Sequence, residues 1–374
     1  MTATPTRNGT GTGARNGIVN TLTSARLPKW APWALLFGSW AIFAITFGFI
    51  AAAEETPNYN IVGVVFFGTV LFDVLLVTIS YLVEGARKAR DRLVTSLVST
   101  AFVIALLPLI SLLFTVAVDG SKRFDIAFFT QSMRNIVGAG TEQFSGGALH
   151  GIVGTLEITG MATLISVPIG LLSAIYLVEY GRGHLARAIT FFVDVMTGIP
   201  SIVAGLFAFA LFALITGDPG IRSGFGGAVA LTLLMVPTVV RSSEEMLKLV
   251  PNELREASYA LGVPKWLTIL KVVIPTSIAG ITTGVTLAIA RVIGETAPLL
   301  IISGFTASMN YDLFNGRMMA LPLFVYTQYA NPGSDVQPYI DRAWAGALTL
   351  ILIVMLLNLI ARLVAKIFSP KLGR

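Results

Sequence analysis

Apolar residues in this chain gather into runs of about 20 or more, separated by short polar stretches that carry Lys and Arg. The runs lie at about residues 31 to 53, 61 to 83, 94 to 118, 151 to 178, 189 to 215, 226 to 240, 276 to 305 and 343 to 366. Lipid offers no partner to free backbone groups, so each run is read as a transmembrane helix, the sixth being short with room to extend at either end. The alternating ten-residue strands of a closed barrel are missing. The expected fold class is an all-α integral membrane protein with eight transmembrane helices.

Basic residues give the orientation. Most of the 26 Lys and Arg fall in the tail and in alternate connections: Arg7, Arg15, Arg26 and Lys29; Arg87, Lys88, Arg90 and Arg92; Arg182 and Arg187; Arg241, Lys248, Arg255, Lys265 and Lys271; Arg362, Lys366, Lys371 and Arg374. The opposite connections hold only Lys122, Arg123, Arg134, Arg222, Arg317 and Arg342. Both termini are therefore expected in the cytoplasm. Residues 1–28, rich in Thr, Gly and Asn, read as a disordered cytoplasmic tail. Residues 29–93 read as an accessory two-helix hairpin, closed by a basic loop at 85 to 92, and residues 94–374 as a six-helix functional unit. Long outer loops are expected at 119 to 150 and 306 to 342, open to a soluble partner.

Composition removes several classes of function. Hydrophobic residues make up 55% of the chain and charged ones 12%, so the net charge of +6 reflects membrane orientation and not a nucleic-acid surface. No nucleic acid is expected; membrane lipid is. Without cysteine, and with only His150 and His184, there is neither a thiolate nucleophile nor a metal site. No catalytic residue is assigned. No phosphate-cradling G-x-x-x-x-G-K-[ST] loop occurs, so the chain binds no cofactor and cannot hydrolyse ATP itself.

The polar connection at 241–275 has its own pattern. Ser242 and Glu245 are spaced as a capping box, and Pro251 restarts the chain with Leu254, Ala257 and Leu261 on one face. Gly262 supplies a stop and Pro264 opens a second helix, with Trp266, Ile269, Leu270, Val273 and Ile274 in amphipathic register. Two short helices at an angle can insert into a groove of a cytoplasmic partner, or simply anchor the bundle at the interface.

Asp73, Glu157, Asp194, Arg291 and Glu295 fall inside apolar runs. Each costs about 2.5 to 3.5 kcal/mol at the bilayer centre and should face protein or a water-filled path. Arg291 and Glu295, four apart, can pair on one helix face. Arg291 is read as a transient anion contact, its planar fork suiting tetrahedral oxyanions, tempered by Glu295. The competing reading is a helix-locking ion pair. Glu157 and Asp194 are read as a structural pair, Asp73 as a packing or assembly contact, and Thr296 and Ser201 as further hydroxyl contacts.

Residues 256 to 275 resemble the EAA loop of ABC importer permeases, with Glu256, Ala257, Gly262 and Pro275 at matching positions. Ser258 replaces the third small residue, and Val272 and Ile274 stand for the motif's Ile and Leu. Residues 166 to 180, 196 to 206 and 290 to 300 are similar to the PstA-type permease of the phosphate importer, a resemblance covering about 94 to 374. It implies a type I ABC importer permease domain whose 241–275 loop couples to an ATPase. Implied partners are a PstC-type permease forming a heterodimer, two PstB-type ATPase subunits that use ATP and Mg, and an extracytoplasmic PstS-type phosphate-binding protein. Alternatives are an ion-coupled secondary carrier relaying protons through Glu157, Asp194 and Glu295, a permease for sulfate or molybdate, and a membrane enzyme or scaffold.

Overall fold

The computed structural model describes residues 27–53, 59–136, 146–333 and 335–368; most of the tail expected at 1–28 lies outside them. Among the described residues seven helices are long and apolar enough to cross a membrane, or up to eight if one bent pair counts as a single span. Two compact units divide between Ser111 and Leu112.

In the first unit, α1 (Ala31–Ala53) and α2 (Ile61–Glu84) form an antiparallel hairpin. Glycines let the two approach: a Cβ at Gly63 would meet Phe47 at 2.8 Å and one at Gly68 would meet Trp40 at 2.5 Å. The basic run read as a loop is helical instead. Only Gly85, at φ 89, interrupts the chain before α3 (Ala86–Gly120). Glu84 explains the tight junction: it accepts from Arg92 at 2.7 and 3.1 Å, from Ser80 at 3.0 Å and from the Leu27 amide at 2.9 Å. Asp73 accepts a hydrogen bond from Ser96 of α3.

The second unit is built around one buried helix. After α4 (Ile126–Thr130), α5 (Leu149–Ile175), α6 (His184–Thr197) and α7 (Ser201–Thr216) comes α8 (Gly224–Lys248), against which α5, α6 and α7 pack. Ala228, Ala230, Met235, Val239, Val240 and Leu247 of α8 are fully buried. A Cβ at Gly170 of α5 would lie 2.7 Å from Val239. The run at 226 to 240 is therefore longer than hydropathy suggested, and the capping box is not formed. Ser242 sits inside α8, donating back to the Thr238 carbonyl at 2.8 Å, because the buried face continues through Ser243, Glu244 and Leu247.

The run at 189 to 215 is not one helix. α6 and α7 meet at 111° across Gly198, Ile199 and Pro200, since proline can neither donate its amide nor tolerate the preceding turn. At about 21 and 24 Å, neither arm alone reaches across a hydrocarbon core of about 30 Å.

Next come α9 (Asn252–Ala260), α10 (Lys265–Thr268) and α11 (Ile274–Val292), then α12 (Ala297–Ile302), α13 (Leu321–Ala330) and α14 (Val336–Phe368). A π-helical turn at Ile269–Val273 joins α10 to α11, so Lys265–Val292 is a single span and the second arm of the elbow is its beginning. The wide turn makes room for Pro275, whose ring would strike the carbonyl four residues back in a regular helix.

The connections read as outer loops are more buried than expected. Residues 318 to 324 enter the core, with Leu321, Leu323 and Phe324 wholly buried and the Leu321 amide donating to Thr155 of α5 at 2.6 Å. Arg123 and Arg342, read as loop cations, are buried as well. Arg123 bonds Asp125 and the Gly146 carbonyl, both at 2.5 Å. Arg342 donates to Gln328 at 2.9 Å and stacks on Tyr339.

At Gly154 of α5 a Cβ would come within 2.1 Å of the Met319 carbonyl. Gly154→Ala is expected to cost about 1–3 kcal/mol by overpacking. The check is the fraction of detergent-solubilised protein that stays monodisperse on heating, which should fall at a lower temperature than in the wild type.

Candidate functional site

Two regions carry the residues singled out from the sequence. The first is a break in the helix after α11. The run at 276 to 305 is interrupted at Ile293–Thr296, where Gly294 and Pro298 together prevent a continuous helix. Arg291 therefore occupies the last turn of α11, and Glu295 and Thr296 lie beyond its end. The ion pair expected on one helix face is not formed: it needs an unbroken turn between residues 291 and 295. Among the described residues, neither Arg291 nor Glu295 has a salt bridge within 4.0 Å.

Arg291 is exposed, in line with Leu287 and Thr283 one and two turns earlier, while Gly284, Ala288 and Val292 form the buried face of α11. Ser201 joins this region through packing. Gly205 of α7 lies against Pro298, with a Cβ position 2.6 Å from the Pro298 Cα, and Ala208 clusters with Ile302. The two helices thus run alongside in the same direction, and Ser201, one turn before Gly205, falls at the level of the break. No hydrogen bond links the Ser201, Arg291, Glu295 and Thr296 side chains to each other among the described residues.

The other intramembrane acids part company. Asp194 of α6 pairs with Arg241 of α8 and not with Glu157. Arg241 also holds Glu244 at 2.9 Å, and Lys248 reaches the other oxygen of Glu244 at 2.7 Å. This four-residue network fastens the first arm of the bent pair to the end of α8. The sequence reading missed Arg241 and Glu244 as a site, although their spacing in RSSEEMLK, three and four apart, signals one charged helix face. On α5 a buried Glu157 oxygen has no hydrogen-bond partner among the described residues.

The second region is the elbow. α9 ends in a left-handed residue, Gly262 at φ 75, with the Val263 amide bonded to the Ser258 carbonyl at 3.2 Å. Ser258, where the motif has another small apolar residue, gains a role: its hydroxyl meets that of Thr268 at 2.8 Å in a buried contact that closes the two arms. Glu256 and Ala257 are exposed and Pro275 lies within the span. The apolar face predicted for α9 points outward. Leu261 is 83% exposed and Trp266 61%, and Leu254 and Tyr259 are exposed as well. Of the amphipathic stripe in the second arm, Ile269 and Val273 are buried against the bundle while Trp266 and Leu270 are exposed.

No group of His, Cys, Asp and Glu able to hold a metal occurs among the described residues. The chain matches the family of binding-protein-dependent transport system inner membrane components over residues 166–374. It is 47% identical over 279 residues to the phosphate transport system permease protein PstA 1 of Mycobacterium tuberculosis, covering 74% of this chain and 89% of that protein. PstA of Pasteurella multocida is 38% identical over 286 residues, 76% of this chain and 96% of its own. A bacterial alginate ABC transporter solved with its periplasmic protein shares the fold alone, at a TM-score of 0.53 and 13% identity over 76% of this chain and 97% of that one. With its buried central helix, interrupted span and outward-facing elbow, the chain belongs to the binding-protein-dependent transport system inner membrane components, in their PstA-type branch.

Proposed function

We propose that this chain is the permease subunit of an ATP-driven importer that carries inorganic phosphate across the cytoplasmic membrane. The observation that carries this reading is Arg291: exposed, without an ion pair among the described residues, at a helix break in an apolar bundle. Lipid is a costly neighbour for a guanidinium, and irregular backbone at membrane depth needs protein or a water-filled path beside it. A second, PstC-type permease seated on the Thr283–Leu287–Arg291 stripe satisfies both needs, with the phosphate path between the two subunits. Glu295, Thr296 and Ser201 line that path beside Arg291.

The exposed apolar elbow supports an ATPase partner. Glu256, Ala257, Ser258, Gly262 and Pro275 shape a docking element for a PstB-type subunit, one for each permease. A PstS-type binding protein delivers phosphate from outside. Counting the bent pair as one crossing gives eight spans, the last six forming the type I permease domain at 94–374. Both termini are then cytoplasmic, as the basic residues favour. Residues 29–93 serve as an accessory hairpin.

Glu157, whose buried oxygen has no partner among the described residues, favours a second reading as a proton-coupled carrier. Proteoliposomes holding the four kinds of subunit separate the two. Uptake of labelled phosphate should require ATP, persist when the proton gradient is collapsed and exceed uptake of sulfate. Gradient-driven uptake by this chain alone would sink the proposal.

A further inference from the structure

Both arms of the elbow converge on one residue, Glu179. α5 ends in a π-helical turn, Tyr176–Tyr180, that contains it. From α9, Arg255 places Nη2 at 2.9 Å and Nε at 3.0 Å from one Glu179 carboxylate oxygen. The pair is secluded, the side chains being 12% and 5% exposed. From the start of α10, Lys265 donates to the backbone carbonyl of the same Glu179 and lies 4.8 Å above the Tyr180 ring. Arg255 also donates to the Val250 carbonyl at 2.5 Å and the Leu247 carbonyl at 3.0 Å, at the end of α8.

We propose that Glu179, gripped by Arg255 and Lys265, is the tie through which displacement of the elbow reaches α5 and α8. This rests on the transport reading above. Three physical points support it. Its Arg255–Glu179 half is charge-assisted and shielded from water, so it resists separation better than a surface pair. Its two cations come from opposite sides of the Gly262 turn, so the elbow cannot pivot about that glycine without straining one contact. Glu179 lies in the last turn of its helix, where carbonyls have no intrahelical donor, and Lys265 supplies one. Glu179 is accordingly a positioning residue, remote from the phosphate path, that acts on transport through α5 and α8.

The test uses the complete reconstituted complex and reads ATP hydrolysed per phosphate moved. Glu179→Gln keeps the shape but removes the charge. Uptake should fall about tenfold while hydrolysis stays within about twofold, the scale expected for loss of one charge-assisted contact. Membrane abundance and ATPase co-purification are measured on the same preparations. If Glu179→Gln accumulates poorly, Arg255→Lys replaces it, since an ammonium keeps the charge but cannot span the carboxylate and both carbonyls. Either variant, at normal abundance, moving phosphate at the wild-type ATP cost overturns the tie. So does a parallel loss of hydrolysis and uptake, the signature of failed docking. A wild-type complex that hydrolyses ATP without moving phosphate instead overturns the transport reading, and the tie falls with it.

Discussion

Leu261→Asp should release the ATPase from the complex while leaving this chain folded in the membrane. Leu261 is 83% exposed at the end of α9, so its side chain contributes little to its own fold. An apolar anchor at the centre of a partner's groove is worth about 2 kcal/mol or more, and a carboxylate put in its place adds a desolvation cost. At least about thirtyfold weaker retention of the ATPase is expected. Affinity capture of the permease followed by quantification of the bound ATPase checks it, with membrane abundance as the control. Full retention would mean that the elbow's apolar tip is not the docking surface.

Arg291→Gln is expected to lower phosphate uptake about 10- to 100-fold, the range for losing a charge-assisted contact of about 1.5–3 kcal/mol to an anion. The complex should still assemble, because among the described residues Arg291 has no ion pair that its removal would orphan. Initial rates of labelled phosphate uptake, measured beside ATPase co-purification, separate transport from assembly. Normal uptake would remove Arg291 from the path. A helix-locking role would instead show as loss of the assembled complex.

Hydropathy located the helices well because the cost of exposing backbone to lipid acts on every residue of a span alike. It missed features decided by single residues. The corner at Gly198–Pro200 and the break at Ile293–Thr296 lie within apolar runs, where an average over about 19 residues erases one proline. Hydropathy also stopped α8 too early, because Arg241, Glu244 and Lys248 look like loop residues until Asp194 is seen to meet them from another helix. Glu157 and Asp194 were matched as neighbours along the chain, although partner choice depended on which faces of α5, α6 and α8 meet. The elbow was the most legible element, since Pro251, Gly262 and Pro264 fix backbone geometry locally. What its pattern could not say was that Leu254 and Leu261 would be left uncovered.

The glycine contacts that seat α5 and α11 on α8 limit how the second unit can change shape. At Gly170 the Val239 side chain, and at Gly284 the Ser242 side chain, fill the space a methyl would need, at 2.7 and 2.5 Å. Such interlocked surfaces resist sliding by a helical turn, since any axial shift would drive side chains into backbone. These three helices should tilt together as a single plate, with deformation concentrated at the corner and the interrupted span on either side of it.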